Sequence, residues 1–426
     1  MTIYELSSGI SSGVFDDQLR MLYGTNERNI LRNRARYLSA AENFSRLYPE
    51  CSDINVFSVG GRAEIGGNHT DHQHGKVISA AVDADIIAIA SPNGGTEVHI
   101  NSEGFAPFTV SVQELTKEDK GTSAALVTGI IYEFKKRGVD VGGFDVYISS
   151  EVPVGCGMSS SAAFEVLIGN IINSLFNGGF TDIEIAEIGK ISENVFFGKN
   201  CGLMDQVVCA VGGALFIDFK DASKPLFKKI GYDLGKSGYS LCITDTGVSH
   251  AGIDSEYDMI ASEMKHVANE MGVGVLGEAD EEDFFDNIPR LRKNCGDREI
   301  LRAAHFFGET RRASEEAEAL ENGDTERFFE LINESGNSSA QLLQNLFLSD
   351  DIQHQEISLA IMISKRFLGG SGAVRIHGGG FGGSIIAFVP NYLSEDYSRE
   401  MNRIFGENSC RIFNIRSAGG YRLQNK

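Results

Sequence analysis

The run Val152-Pro153-Val154-Gly155-Cys156-Gly157-Met158-Ser159-Ser160-Ser161-Ala162-Ala163 constrains the fold more than any other stretch, because it joins a strand pattern to a helix pattern through residues with very little side chain. Upstream, Phe144 to Ile148 alternates like a half-buried strand, and downstream the apolar spacing of a long helix runs to Phe176. Small residues at a helix N-terminus let backbone N–H groups approach an anion while the helix dipole favours negative charge. The loop is a candidate phosphate cradle; taken alone, it also suits a plain N-capped helix. It is not a Walker loop, and Gly155-x-Gly157-x-x-Ser160 lacks the third glycine of a dinucleotide fingerprint.

Three further clusters surround this loop in the sequence. Gly61-Arg62-Ala63-Glu64-Ile65-Gly66-Gly67-Asn68-His69-Thr70-Asp71-His72-Gln73-His74-Gly75 crowds donors and acceptors between two strand candidates, Ile54 to Val59 and Val77 to Ala90. Sugar hydroxyls need such a mixture; the histidine spacing matches no strong zinc pattern, and a solvated polar loop is the plain alternative. Glu193 and Cys201-Gly202-Leu203-Met204-Asp205-Gln206 place acids at helix ends, where a carboxylate commonly serves only as a cap. Gly378-Gly379-Gly380-Phe381-Gly382-Gly383, between strands Ala373 to His377 and Ser384 to Val389, is either a tight turn or a second wall approaching a ligand.

At 426 residues the chain is long enough for two cores, and we place the boundary near residue 225, giving domains 1–225 and 226–426. The second half reads as helices on an antiparallel sheet, with the acidic stretch Glu278 to Asp286 as a solvated connection. No apolar run approaches the roughly 18 residues that span a bilayer, no secretory signal is apparent, and the seven scattered cysteines form no Cys-x-x-Cys pair, so a cytoplasmic protein with reduced thiols and no membrane partner is expected. Subtracting 59 acids from 38 bases gives a net charge of −21, which disfavours a nucleic-acid partner. The oligomeric state is not legible.

In their order along nearly the whole chain, these clusters resemble the galactokinases, members of the superfamily that includes homoserine, mevalonate and phosphomevalonate kinases. The match lies in Gly61-Arg62 through Asp71, in Pro153 through Ala163 and in His377 through Gly383, with Gly202-Leu203-Met204-Asp205-Gln206 pointing to the galactokinase branch. The resemblance implies an α+β fold, with an N-terminal domain like the second domain of ribosomal protein S5 and a ferredoxin-like C-terminal domain. It implies a phosphotransferase that uses ATP with Mg²⁺ to phosphorylate the anomeric hydroxyl of a galactose-like monosaccharide. Carried over by position, Asp205 is the catalytic base and Arg62 its charge-stabilising neighbour; Gly155, Cys156, Gly157, Met158, Ser159, Ser160 and Ser161 cradle the triphosphate; Ser161 and Glu193 hold the metal; Asn68, His69, Thr70, Asp71, Gly202 and Tyr257 contact the sugar.

Two positions depart from the family motif. Asn68 stands where it has glutamate, and Glu64 where it has asparagine. An asparagine can donate as well as accept and does not repel a carboxylate, and Asp71-His72-Gln73 is similar to the galacturonate-kinase relatives, so galacturonate is the alternative substrate. Some relatives are non-catalytic, ATP- and galactose-dependent sensors, but their phosphate loops are damaged, whereas Ser159-Ser160-Ser161-Ala162-Ala163 is intact here.

Overall fold

The computed structural model describes residues 1–116, 120–153, 157–222, 224–232, 234–247 and 254–425. Three helices open the chain, α1 (Ile3–Ser12), α2 (Asp16–Tyr23) and α3 (Glu27–Leu47), the first started by a reciprocal Thr2–Glu5 capping box. An eight-stranded sheet follows, built from β1 (Asn55–Gly66), β2 (Lys76–Pro92), β3 (Glu97–Ser102), β4 (Phe108–Ser111), β5 (Phe144–Ser150), β6 (Ala214–Asp218) and β7 (Leu226–Ile230) together with a strand from the far end of the chain. Between these strands come α4 (Ser123–Lys136), α5 (Ser160–Leu175), α6 (Asp182–Ser192) and α7 (Met204–Val211).

The sheet is buried on both faces, which explains why β2 is apolar almost throughout. Ile86, Ala88 and Ala90 face the core shared with α4 to α7, while Ile87 and Ile89 alternate onto the core of α1 to α3. Strand β1 does not stop at Val59 as its sequence suggested. It continues through Gly66, paired with β2 and bulged between Gly60 and Arg62 and between Glu64 and Gly66. The motif's first residues, Gly61 to Gly66, thus sit on a strand, and residues 67–75 form the connection.

The second sheet is antiparallel, ordered β11–β8–β10–β9, with β8 (Tyr239–Asp245), β9 (Ala373–His377), β10 (Ser384–Pro390) and β11 (Cys410–Phe413). Helices α8 (Asp254–Glu270), α9 (Glu281–Leu291), α10 (Asp297–Glu321), α11 (Thr325–Ser338), α12 (Glu356–Leu368) and α13 (Ser394–Phe405) complete this half. The acidic stretch expected to be a connection is largely α9: Asp280 caps it, and Phe284 and Leu291 bury its apolar side. Just past residue 225, β7 pairs with β6, and the final strand β12 (Tyr421–Arg422) returns to pair with β1 of the first sheet. Among the described residues, no helix is long and apolar enough to cross a membrane.

Candidate active site

The site forms where β1, the start of α5, the start of α7 and the glycine loop after β9 meet. Arg62 reaches from β1 and grips Asp205 at the start of α7 through two hydrogen bonds, Nε to Oδ1 at 2.7 Å and Nη2 to Oδ2 at 3.0 Å. The Ser159 hydroxyl donates to Oδ2, and Arg62 also donates to the Gly157 carbonyl. The Arg62 backbone N–H is tied to the Met158 carbonyl at 3.2 Å, fixing the strand to the phosphate loop. Burial opposes charge on Asp205, yet the Arg62 guanidinium, with its hydrogen bonds and that of Ser159, carries the carboxyl below its usual range. Its side chain keeps 32% of its surface, so an ionised oxygen is available to a ligand.

Ser159 is the N-cap of α5 but makes no capping hydrogen bond, its hydroxyl being spent on Asp205, so the first N–H groups of α5 are left for another acceptor. It holds a left-handed backbone, φ 52°, and His69 and Phe381 in the other two loops do the same, at 58° and 59°. Strained backbone at all three walls of one cleft is the pattern of a functional site. The Met158 side chain is in the core, and Val154, Gly155 and Cys156 lie outside the described residues.

Behind Asp205 lies an oxygen-rich pair. Ser161 donates to Glu193 Oε1 at 3.3 Å, and Glu193 opens a π-helical segment, Glu193–Phe197, of the kind that recurs at functional sites. Two residues missed from sequence support it: Lys199 Nζ is 3.3 Å from Oε1, and Gln206 Nε2 donates to Oε2 at 2.9 Å and to buried Glu165 at 3.0 Å. Burial, reinforced by Glu193, pushes the Glu165 carboxyl well up.

The expected sugar contacts divide. His69 Nε2 donates to the Gly379 carbonyl at 2.7 Å, and its ring lies 6.0 Å from that of Tyr257, whose hydroxyl donates to the Gly380 carbonyl at 3.2 Å. Any side chain at Gly379 would strike the Tyr257 ring, so glycine is what lets this wall close. Asp71 comes beside Gly202, and burial raises its carboxyl's pKa. Asn68 and Thr70 behave differently. Both are wholly buried: Thr70 donates to the Gly67 and Lys76 carbonyls, while Asn68 gives its amide to Glu64 and the Gly378 carbonyl and accepts from Asn345 at 3.0 Å. The side chains of these two are thus turned to protein partners. His305 and Glu309 of α10 hold the Asn68 backbone, so the second domain positions the first domain's loop.

Comparison with known proteins gives the chain a family. The family model for the GHMP kinases N terminal domain matches residues 125–213, and the galactokinase galactose-binding signature matches residues 42–92. Galactokinase from Streptomyces coelicolor is 30% identical over 399 residues, covering 90% of this chain and 98% of that protein. The chain belongs to the galactokinase family. Galactokinase from Lactobacillus helveticus is likewise 30% identical, over 82% of this chain and 89% of its own length. The fold matches that of Lactococcus lactis galactokinase complexed with galactose, with a TM-score of 0.77 at 24% identity over 90% of this chain and 98% of that one. Methanococcus jannaschii mevalonate kinase shares the fold more distantly, at a TM-score of 0.59 and 18% identity over 84% of this chain and 96% of that one. As a galactokinase-family member the chain is a sugar kinase, a phosphotransferase acting on an alcohol group.

Proposed function

We propose that the protein transfers the γ-phosphoryl group of ATP to the anomeric hydroxyl of a galactose-type sugar, giving the sugar 1-phosphate and ADP. The observation that carries this reading is the Arg62–Asp205–Ser159 cluster, an accessible carboxylate held ionised at the mouth of an uncapped helix. In the reaction the sugar oxygen bonds to phosphorus, the bond to the β-phosphate oxygen breaks, and Asp205 takes the hydroxyl proton. A carboxylate of depressed basicity suffices, because phosphoryl transfer has a loose transition state in which positioning and charge stabilisation matter more than early proton removal.

Arg62 orients Asp205 and offsets charge at the transferred group, while Ser159, Ser160 and Ser161 at the start of α5 present donors to the phosphates. Ser161 and Glu193 are hard oxygen donors of the type Mg²⁺ prefers, and they would hold it beside the phosphates. When bound, that ion supplies neutralisation of phosphate charge. His69, Asp71, Gly202 and Tyr257 would surround the sugar.

Initial rates of ADP release with galactose, galacturonate, arabinose, fucose and glucose, with the phosphorylated carbon assigned by NMR, test the reading. Phosphorylation of a galacto-configured sugar at carbon 1 is expected. Asp205→Asn should abolish turnover and leave ATP and sugar affinities within a few-fold; undiminished turnover would refute the base assignment.

A further inference from the structure

Glu64 stands on β1 two residues after Arg62, on the same side of the strand, between the bulges that flank this stretch. Its carboxylate is shared unevenly. Oε1 accepts from Asn68 Nδ2 at 2.9 Å and from Arg375 Nη2 at 3.1 Å, whereas Oε2 takes no hydrogen bond among the described residues. Arg375 cannot reach past it, being wholly buried with its other hydrogen bonds made to the carbonyls of Glu64, Ile65 and Ile376. Asn68 is equally committed. The cation and the amide both bind Oε1, so Oε2 is the oxygen left for a ligand, and Arg62 and Asp71 lie close enough to feel the charge of this carboxylate. Although burial works against it, the charge of Arg375 and the Asn68 hydrogen bond, with Arg62 nearby, carry Glu64 below its usual range, while Glu64 in turn helps raise the pKa of Asp71.

Building on the sugar-kinase reading above, we propose that Glu64 sets the charge of the accepted substrate: its open oxygen accepts a sugar hydroxyl and repels a sugar carboxylate, so the site takes neutral galacto-configured sugars and rejects the uronate. The exchange of residue types at 64 and 68 therefore moves the pocket's acid four residues along the chain without removing it. Asn68, which by sequence alone opens the pocket to galacturonate, never faces the sugar.

Unmodified enzyme provides the first test, through kcat/KM for galactose, galacturonate and the uncharged galacturonamide. Galacturonate should fall at least about 100-fold below galactose, and the amide should recover at least about 10-fold of that loss. Equal use of galacturonate and galactose, or an amide no better than the acid, would overturn the proposal. In Glu64→Gln the preference for galactose over galacturonate should narrow at least about 10-fold, chiefly through KM. An unchanged ratio in a variant whose Tm and ATP affinity match the unmodified enzyme would also overturn it. Should the variant fail to fold, the substrate series decides alone. Lack of turnover with every sugar would instead sink the kinase reading on which this inference rests.

Discussion

At the scale of single residues, the chemistry depends on how burial and neighbouring charge set protonation. Asp205 is held below the ordinary carboxylate range, so the acid limb of kcat/KM should lie below that range, activity being lost only when falling pH protonates the base. Replacing Arg62 with Gln removes the main opposing charge. The acid limb should then move up by at least about one pH unit and kcat should fall on the order of 100-fold, both visible in pH–rate profiles. Asp83 illustrates the opposite sign. Burial raises its carboxyl to about 6 despite hydrogen bonds from Asn414. Folding therefore binds a proton there, and this contribution to stability is complete below about pH 4 and lost as pH rises to 6. Denaturant titrations across that window should show Asp83→Asn flattening the slope, by no more than about 3 kcal/mol in total. Such pairings were only half legible. The motif positions of Arg62 and Asp205 could be read from the sequence, whereas Glu64 and Arg375 are 311 residues apart, and only their meeting in space shows that Asn68 is sealed behind them.

Elements carry the site through their ends and irregularities. The Glu193–Phe197 segment changes from α to π geometry where it packs on α4: the Ser192 hydroxyl donates to the Leu126 carbonyl at 2.7 Å, and Gly129 leaves no room for a side chain against Ser192 and Phe196. Gly129→Ala would have to displace them. It should cost about 1–3 kcal/mol of stability, read by thermal unfolding, and should raise the Mg²⁺ concentration needed for half-maximal ADP release by shifting Glu193. An unaltered Mg²⁺ requirement would show that the segment's packing is independent of the site. The sequence reveals α5 because its apolar spacing is regular, but a π turn leaves no periodic mark. For α9 the acidic residues obscured the pattern, since charge density read as solvation outweighed two well-spaced apolar side chains, Phe284 and Leu291.

Across the whole molecule, the two sheets share a chain that crosses between them more than once. Arg416, beyond the last strand of the second sheet, is buried against the first: it donates to Ser58 Oγ at 2.7 Å and to Asp85 Oδ2 at 3.2 Å, where Arg36 and Tyr23 also converge. Removing one member of such a cluster strands the others without their partner. Arg416→Ala should cost about 3–5 kcal/mol in denaturant unfolding, and both halves should still unfold in one transition because the first sheet is completed by β12, which the chain reaches only after building the second sheet. The return of β12 also has a bearing on synthesis. The edge of the first sheet beside β1 stays unpaired until Tyr421 and Arg422 have left the ribosome, so the nascent chain displays an open strand edge, a template for self-association, throughout translation of the helical second half.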